Sequence, residues 1–178
     1  MSSVRWLLIA LSIVCVTPPA KIAAAPAEQA ATGPASGLPV PRFVSLKSDR
    51  VNVRAGPTKD HDVVWVYARS ALPVEVTAEF ENWRRIRDWE GAEGWVYHSL
   101  LSGRRTAIIS PVSKAKDDLL PLRSSADSEA NVVARLQPGV QGTVKRCTGS
   151  WCRIVGDGFD GFIEQNRLWG VYPNERIE

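Results

Sequence analysis

The sequence predicts an all-β protein, folded as two small antiparallel β-barrels in tandem. Two observations carry this. The stretch Glu79-Phe80-Glu81-Asn82-Trp83-Arg84-Arg85-Ile86-Arg87 is echoed by Cys147-Thr148-Gly149-Ser150-Trp151-Cys152-Arg153-Ile154-Val155, with Trp151 lying 68 positions after Trp83. Around both copies the apolar residues fall in short runs spaced about ten residues apart, with turn residues between them and no sustained helical period. Each copy reads as strand, tight turn, strand, and each is followed by a glycine and an aromatic-aliphatic pair, Gly94-Trp95-Val96 and Gly161-Phe162-Ile163. Each unit has about 60 residues, a size at which burial is only marginally sufficient and a covalent staple is useful.

The amino terminus is a different kind of sequence. Met1 to Arg5 is short and weakly basic, and Trp6 to Val16 is an apolar run of eleven residues, too short to span a bilayer. Residues 1–27 are read as a secretory signal peptide, cleaved after Ala24 or Ala27, with an uncleaved anchor as the alternative. Cys15 does not make a lipoprotein site, because Val14 precedes it where the attachment motif wants a small residue. Residues 28–41, rich in Ala, Pro, Gly and Ser, have no apolar periodicity and are expected to be a disordered linker.

The first barrel is placed at 42–106 and the second at 107–178. Phe43 to Leu46 opens the first as a strand, and Val51-Asn52-Val53-Arg54 alternates as a half-buried strand does. Gly56-Pro57 then breaks the pairing. Val63 to Tyr67, Pro73 to Thr77, Trp83 to Arg87 and Gly94 to Tyr97 supply the remaining strands.

Val51-Asn52-Val53-Arg54-Ala55-Gly56-Pro57, an Asn-Trp turn and Gly94-Trp95-Val96 together resemble the bacterial Src-homology-3-like family. Its members share an N-hydrophobic-R-x-G-P opening and a G-W-V ending. The carboxy-terminal Leu168-Trp169-Gly170-Val171-Tyr172-Pro173 is similar to the ending of exported two-repeat members from Gram-negative bacteria. The resemblance runs from Phe43 to Tyr172. It implies SH3-like barrels, a periplasmic location and a ligand in the cell envelope. The second unit departs from the pattern: Leu122-Arg123-Ser124-Ser125-Ala126 stands in place of the opening and lacks the Gly-Pro pair.

Cys147 and Cys152 remain once a signal peptide is removed, and a thiol pair in an oxidising compartment reads as a disulfide. With Gly149-Ser150 as a two-residue turn, Cys147 and Cys152 fall directly opposite each other. Glu79 and Arg84 hold the same places in the first unit. Both copies thus put a linking pair on one face, and Trp83 and Trp151 are expected on the other, toward the core. A redox or metal site at the thiols is the competing reading, which the lack of a nearby His disfavours.

The formal charge is +3, of which Arg5 and Lys21 contribute two, leaving too little for nucleic acid binding by bulk electrostatics. The two histidines, His61 and His98, and the absence of a free mature thiol argue against a hydrolase, and no cofactor or metal is implied. What remains is binding, of a peptidoglycan peptide or of another envelope protein, without stable membrane insertion after cleavage. The contact residues expected are Trp89, Tyr67 and Tyr97, the aromatics not needed for a core, with Asn52 and Arg54 beside the Gly-Pro loop. Trp89 is either a contact residue or a lid on its own barrel, and Arg54 either meets a carboxylate or braces its loop. Binding is expected mainly on the first barrel.

Overall fold

Residues whose side chains alternate between apolar and polar bury one face of a strand and wet the other, and this chain is made of such runs almost throughout. The computed structural model describes residues 31–110 and 119–178; the signal-peptide segment lies outside them. The first part holds β1 (Ala31–Thr32), β2 (Pro39–Val40), β3 (Arg42–Leu46), β4 (Val51–Arg54), β5 (Val63–Tyr67), β6 (Pro73–Phe80), β7 (Trp83–Arg87), β8 (Glu93–Tyr97) and β9 (Leu101–Ser102). The second holds β10 (Thr106–Ile109), β11 (Leu120–Arg123), β12 (Val132–Leu136), β13 (Gln141–Thr148), β14 (Trp151–Gly156), β15 (Phe159–Glu164), β16 (Leu168–Trp169) and β17 (Arg176–Ile177). A single 3-10 turn precedes β9 and another precedes β16, and the described residues include no α-helix.

The strand orders are β5-β4-β8-β7-β6-β3-β9 and β12-β11-β15-β14-β13-β10-β16, the same path twice. The duplication extends to detail. Both β4–β5 and β11–β12 shift register at their last pair, and both β6–β7 and β13–β14 shift at the third residue of a valine-initiated step, Val76/Ala78 and Val144/Arg146. The signature glycine has a steric origin. A Cβ on Gly161 would sit 2.7 Å from the carbonyl oxygen of Arg123, because β15 crosses β11 there, and Gly94 meets Val53 and Arg54 in the same way.

Two cores result. Leu46, Val51, Val53, Val74, Val76, Ile86 and Val96 fill the first, and Leu122, Val144, Ile154, Ile163 and Leu168 lie in the second. The barrels share a wall. All four residues of β10 are buried; Ile108 packs into the first core while Ala107 and Ile109 pack into the second. A strand covered on both faces loses its alternation, which is why Thr-Ala-Ile-Ile carries no amphipathic signal. Thr106 Oγ1 donates to the Ala71 carbonyl at 2.8 Å across the same junction.

The linking pairs form as the register argument expects. Cys147 and Cys152 are Cα partners 4.1 Å apart and joined by a disulfide, and Glu79 and Arg84 are Cα partners with Arg84 Nε 3.2 Å from Glu79 Oε1. Their facing is the reverse of the expectation. Ile86 and Ile154 point into the cores, so by the two-residue period Arg84 and Cys152 lie on the core side and Trp83 and Trp151 on the other. Both cysteines are buried among the second core's residues. Protein spanning 31–178 should therefore show no titratable thiol before reduction. Cys152→Ser should cost about 2–3 kcal/mol in denaturant unfolding, through loop entropy and a buried hydroxyl, without loss of the fold. Two reactive thiols in native, unreduced protein would contradict this.

The linker expectation needs correction over residues 31–40. Despite its composition, this stretch forms a small hairpin, β1 paired with β2, and is tied to the first barrel by the side chains of Glu79 and Arg42, the latter donating to the Pro39 carbonyl at 3.1 Å. Glu79 accepts hydrogen bonds from the Ala35 and Ser36 amides at 3.1 and 2.9 Å and from the Ser36 hydroxyl at 2.6 Å, and Arg42 Nη2 lies 2.8 Å from it. Composition predicts how much surface a segment can bury, whereas these bonds are backbone and hydroxyl donors that a Gly/Ser stretch supplies well.

Candidate functional site

The five residues singled out in the first barrel do not converge. Tyr67 belongs to the core: it is 8 % exposed and its hydroxyl donates to Asp88 Oδ2 at 2.8 Å. Burial, with Asp88 beside it, raises its pKa. Its place was readable from pairing, since Val51 and Val53, both fully buried, face Tyr67 and Trp65 across β4–β5. Arg54 braces its loop, donating from Nη1 to the carbonyls of Lys59 and His61 at 3.0 and 2.6 Å. Arg123 does the same in the second barrel, at 2.7 Å to Ala130, even without the Gly-Pro pair. Tyr97 lies edge-on to Trp83, ring centroids 5.4 Å apart, and so serves as that indole's cover. Asn52 and Trp89 alone are exposed. Trp89 is held outward at 41 % exposure by a turn in which Asp88 Oδ1 accepts the amides of Glu90 and Ala92.

A better-formed concavity lies where the barrels meet. It is a cleft of about 750 Å³, with Phe43, Glu75 and Arg87 contributed by the first barrel and Trp151, Gln165 and Trp169 among the residues from the second. None of the five expected contact residues lines it. Its walls are fixed by the carboxy-terminal segment 168–175. Phe43 packs against Trp169 at 5.2 Å, edge to face, and against Tyr172 at 4.7 Å. The Tyr172 hydroxyl donates to Glu75 Oε1 at 2.9 Å, and the other oxygen of Glu75 takes Nε and Nη2 of Arg87. Glu75 is thus buried but fully satisfied, and burial beside it pushes the Tyr172 phenol up. Behind the segment, Arg105 grips Glu175 through two hydrogen bonds of 2.7 and 3.0 Å.

Within this cleft the repeat provides its own comparison. In the first barrel Trp83 faces Tyr97 across β7–β8 and is 8 % exposed. In the second, Trp151 faces Glu164 across β14–β15 and is only half-buried. The indole is thus more exposed than its counterpart. Trp151 also lines a second recess of about 240 Å³ with Pro121, Glu164 and Arg167. Two polar atoms of cleft-lining residues, Gln165 Oε1 and Trp169 Nε1, are buried without a hydrogen-bond partner.

Sequence reasoning missed this site, and the one hint of it was a surplus of aromatic residues near the carboxy terminus that names no contact. Leu168-Trp169-Gly170-Val171-Tyr172-Pro173 adds more aromatic surface than one closed barrel of this size needs. Among the described residues no group of three or more His, Cys, Asp or Glu is placed to hold a metal ion. His61, whose ring lies against Gly56 in the loop after β4, and His98, in the 3-10 turn after β8 with its ring tilted 5.0 Å from that of Tyr97, are in different segments.

A family model for the bacterial SH3 domain matches residues 47–103 and 116–170, one match in each barrel and together more than half of the chain. Among solved structures, the chain is similar to NlpC2 and NlpC1 from Trichomonas vaginalis. Identity is 12 % and 13 %, over 73 % and 77 % of this chain, with a TM-score of 0.31 for both. The chain spans 48 % of the length of each. No curated protein matches it.

Proposed function

The chain belongs to the bacterial SH3 domain family, and from that premise we propose that it is an exported, periplasmic, non-catalytic module that binds the peptidoglycan of the cell wall. The observation that carries this reading is the inter-barrel cleft with its half-buried Trp151, a mostly preformed concavity of aromatic surface with a few convergent polar groups. The buried disulfide fits an oxidising, extracellular or envelope compartment.

The test is retention of the full mature chain on purified sacculi. Retention that survives moderate salt and is competed by soluble wall fragments supports the reading; retention no greater than that of a control protein would overturn it. Trp89→Ala belongs in the same experiment. Its exposure predicts a stability change within about 0.5 kcal/mol. If Trp89 is also a wall contact, binding should weaken by about 1–2 kcal/mol.

One observation favours a second reading, an adaptor that recognises another envelope protein. The edge strands of the two barrels, β5 and β12, both leave valines exposed at matching places, Val63, Val64 and Val66 in one and Val132 and Val133 in the other. Apolar edge strands are templates for strand addition. Loss of partner capture from a periplasmic extract on Val64→Lys and Val133→Lys, with sacculus binding intact, would decide for it.

A further inference from the structure

We propose that the protein associates with a second copy of itself edge to edge, β5 of one chain adding antiparallel to β12 of the other. None of the residues lining the inter-barrel cleft belongs to either strand, so this surface is separate from the cleft and independent of wall binding. Three observations lead there.

The first is a bare edge that occurs twice. β5 and β12 stand at the same end of the two strand orders, and along their five residues the side chains run exposed, exposed, half-buried, exposed, buried in both. Val64 and Val133 are 49 % and 52 % exposed, and β5 carries no charged residue. Edge strands are normally blunted by charge or proline, and one left this apolar is a template for another strand. Each edge bulges at the same step, at Val63-Val64 and at Val132-Val133, which leaves both valines of the pair open to solvent. With Val64 opposite Val133 of a second copy, the two bulges meet.

The second is charge. In that register Asp62 falls opposite Arg135 of the second copy, and Arg69, just past β5, falls between Asp127 and Glu129, which precede β12. Asp62 stays in line with β5, its carbonyl accepting the Ala55 amide at 3.0 Å. All five charged groups are exposed, and none has an ion-pair partner among the described residues. An apolar centre is thus flanked by acid against base at one end and base against acid at the other, which fixes register and partner. The third is what like-with-like pairing would do. β5 on β5, with Val64 opposite itself, sets Lys59 against Arg69 at both ends, and β12 on β12 sets Arg135 against Asn131 and Glu129 against Gln137. Only the mixed pairing brings opposite charges together. One chain carries both halves of that contact, so the partner that fits is another copy, joined head to tail.

The experiment is sedimentation equilibrium of the full mature chain over a wide range of concentration. The average mass should rise above that of one chain as concentration rises, and Val64→Lys and Val133→Lys should each weaken association at least ten-fold. Mixed in equal amounts, the two variants should associate again, because the intact β12 of the first meets the intact β5 of the second. Asp62→Arg and Arg135→Asp should each weaken association, and the double variant should regain it. Thermal melts accompany every variant, and the charge exchange decides the matter if a lysine variant does not fold. A wild-type chain that stays monomeric at every concentration overturns the proposal, even where the same valines capture a different periplasmic protein. Association impaired by only one of the two lysine variants marks like-with-like pairing and overturns it too, as does a mixture of the two that stays monomeric.

Discussion

Gly170→Ala should be the most damaging single methyl that can be added to this protein, costing about 4 kcal/mol or more, or preventing the native junction from forming at all. Two independent penalties combine there. The residue has φ +117°, a backbone conformation that L side chains rarely adopt. A Cβ built on it would also fall onto the carbonyl oxygen of Thr106 and within 2.9 Å of the Ala107 Cα, backbone atoms of the strand that both cores share. Neither can move without disturbing two barrels, and Arg105 Nη2 holds the Gly170 carbonyl from the other side at 2.9 Å. The measurement is chemical denaturation of the Ala variant beside Gly158→Ala, also at positive φ but with open space around it. Gly158→Ala should lose only the conformational part, about 1 kcal/mol. Equal losses for the two would show that the junction yields to the extra methyl.

Acid should act chiefly on the first barrel, through Glu79. Burial pushes the Glu79 carboxyl up, but the donors from Ser36, Arg42 and Ala35 outweigh it and hold the group at about 2, below its ordinary 4.5. A depressed folded-state pKa means stabilisation that is complete above about pH 4.5 and lost as pH falls through the folded value. Its size is on the order of 3 kcal/mol. Between pH 4.5 and 2, wild-type protein should lose stability and release the hairpin of residues 31–40. Glu79→Gln, with the shape of the protonated acid, should lack that stability already at pH 7 and show a flatter acid limb. Parallel pH profiles for the two proteins would remove Glu79 from this role.

How much of the molecule was legible in the sequence depends on what each residue's signal measures. Strand positions were legible: Val63–Tyr67 and Trp83–Arg87 fall where alternation and turn residues put them. The disulfide was legible because register follows from a two-residue turn, Gly149-Ser150. Facing was misread at Trp83 and Trp151, where side-chain size was given more weight than parity. Trp83 and Ile86 are three apart and cannot share a face of an unbulged strand, and Ile86 is the one inside. Tyr67 was misjudged for a related reason, since it was counted among aromatics not needed for a core while its cross-strand partner Val51 was core. The cleft itself was not legible, because it exists only where β10 and residues 168–175 bring two barrels together, and no pattern within one repeat encodes that contact.

Glu79 and Cys147 occupy the same position of the duplicated unit, and each is also where an end of the described chain docks. The hairpin of residues 31–40 is fastened to Glu79, and β17 pairs with β13 at Cys147. Duplication thus kept a seam-closing tie at this point while its chemistry diverged, ionic in one copy and covalent in the other. The two ties therefore answer to different keys. Protons break the ionic tie and leave the sulfur bridge shut; a reductant cuts the bridge between β13 and β14, beneath β17, and leaves the carboxylate engaged.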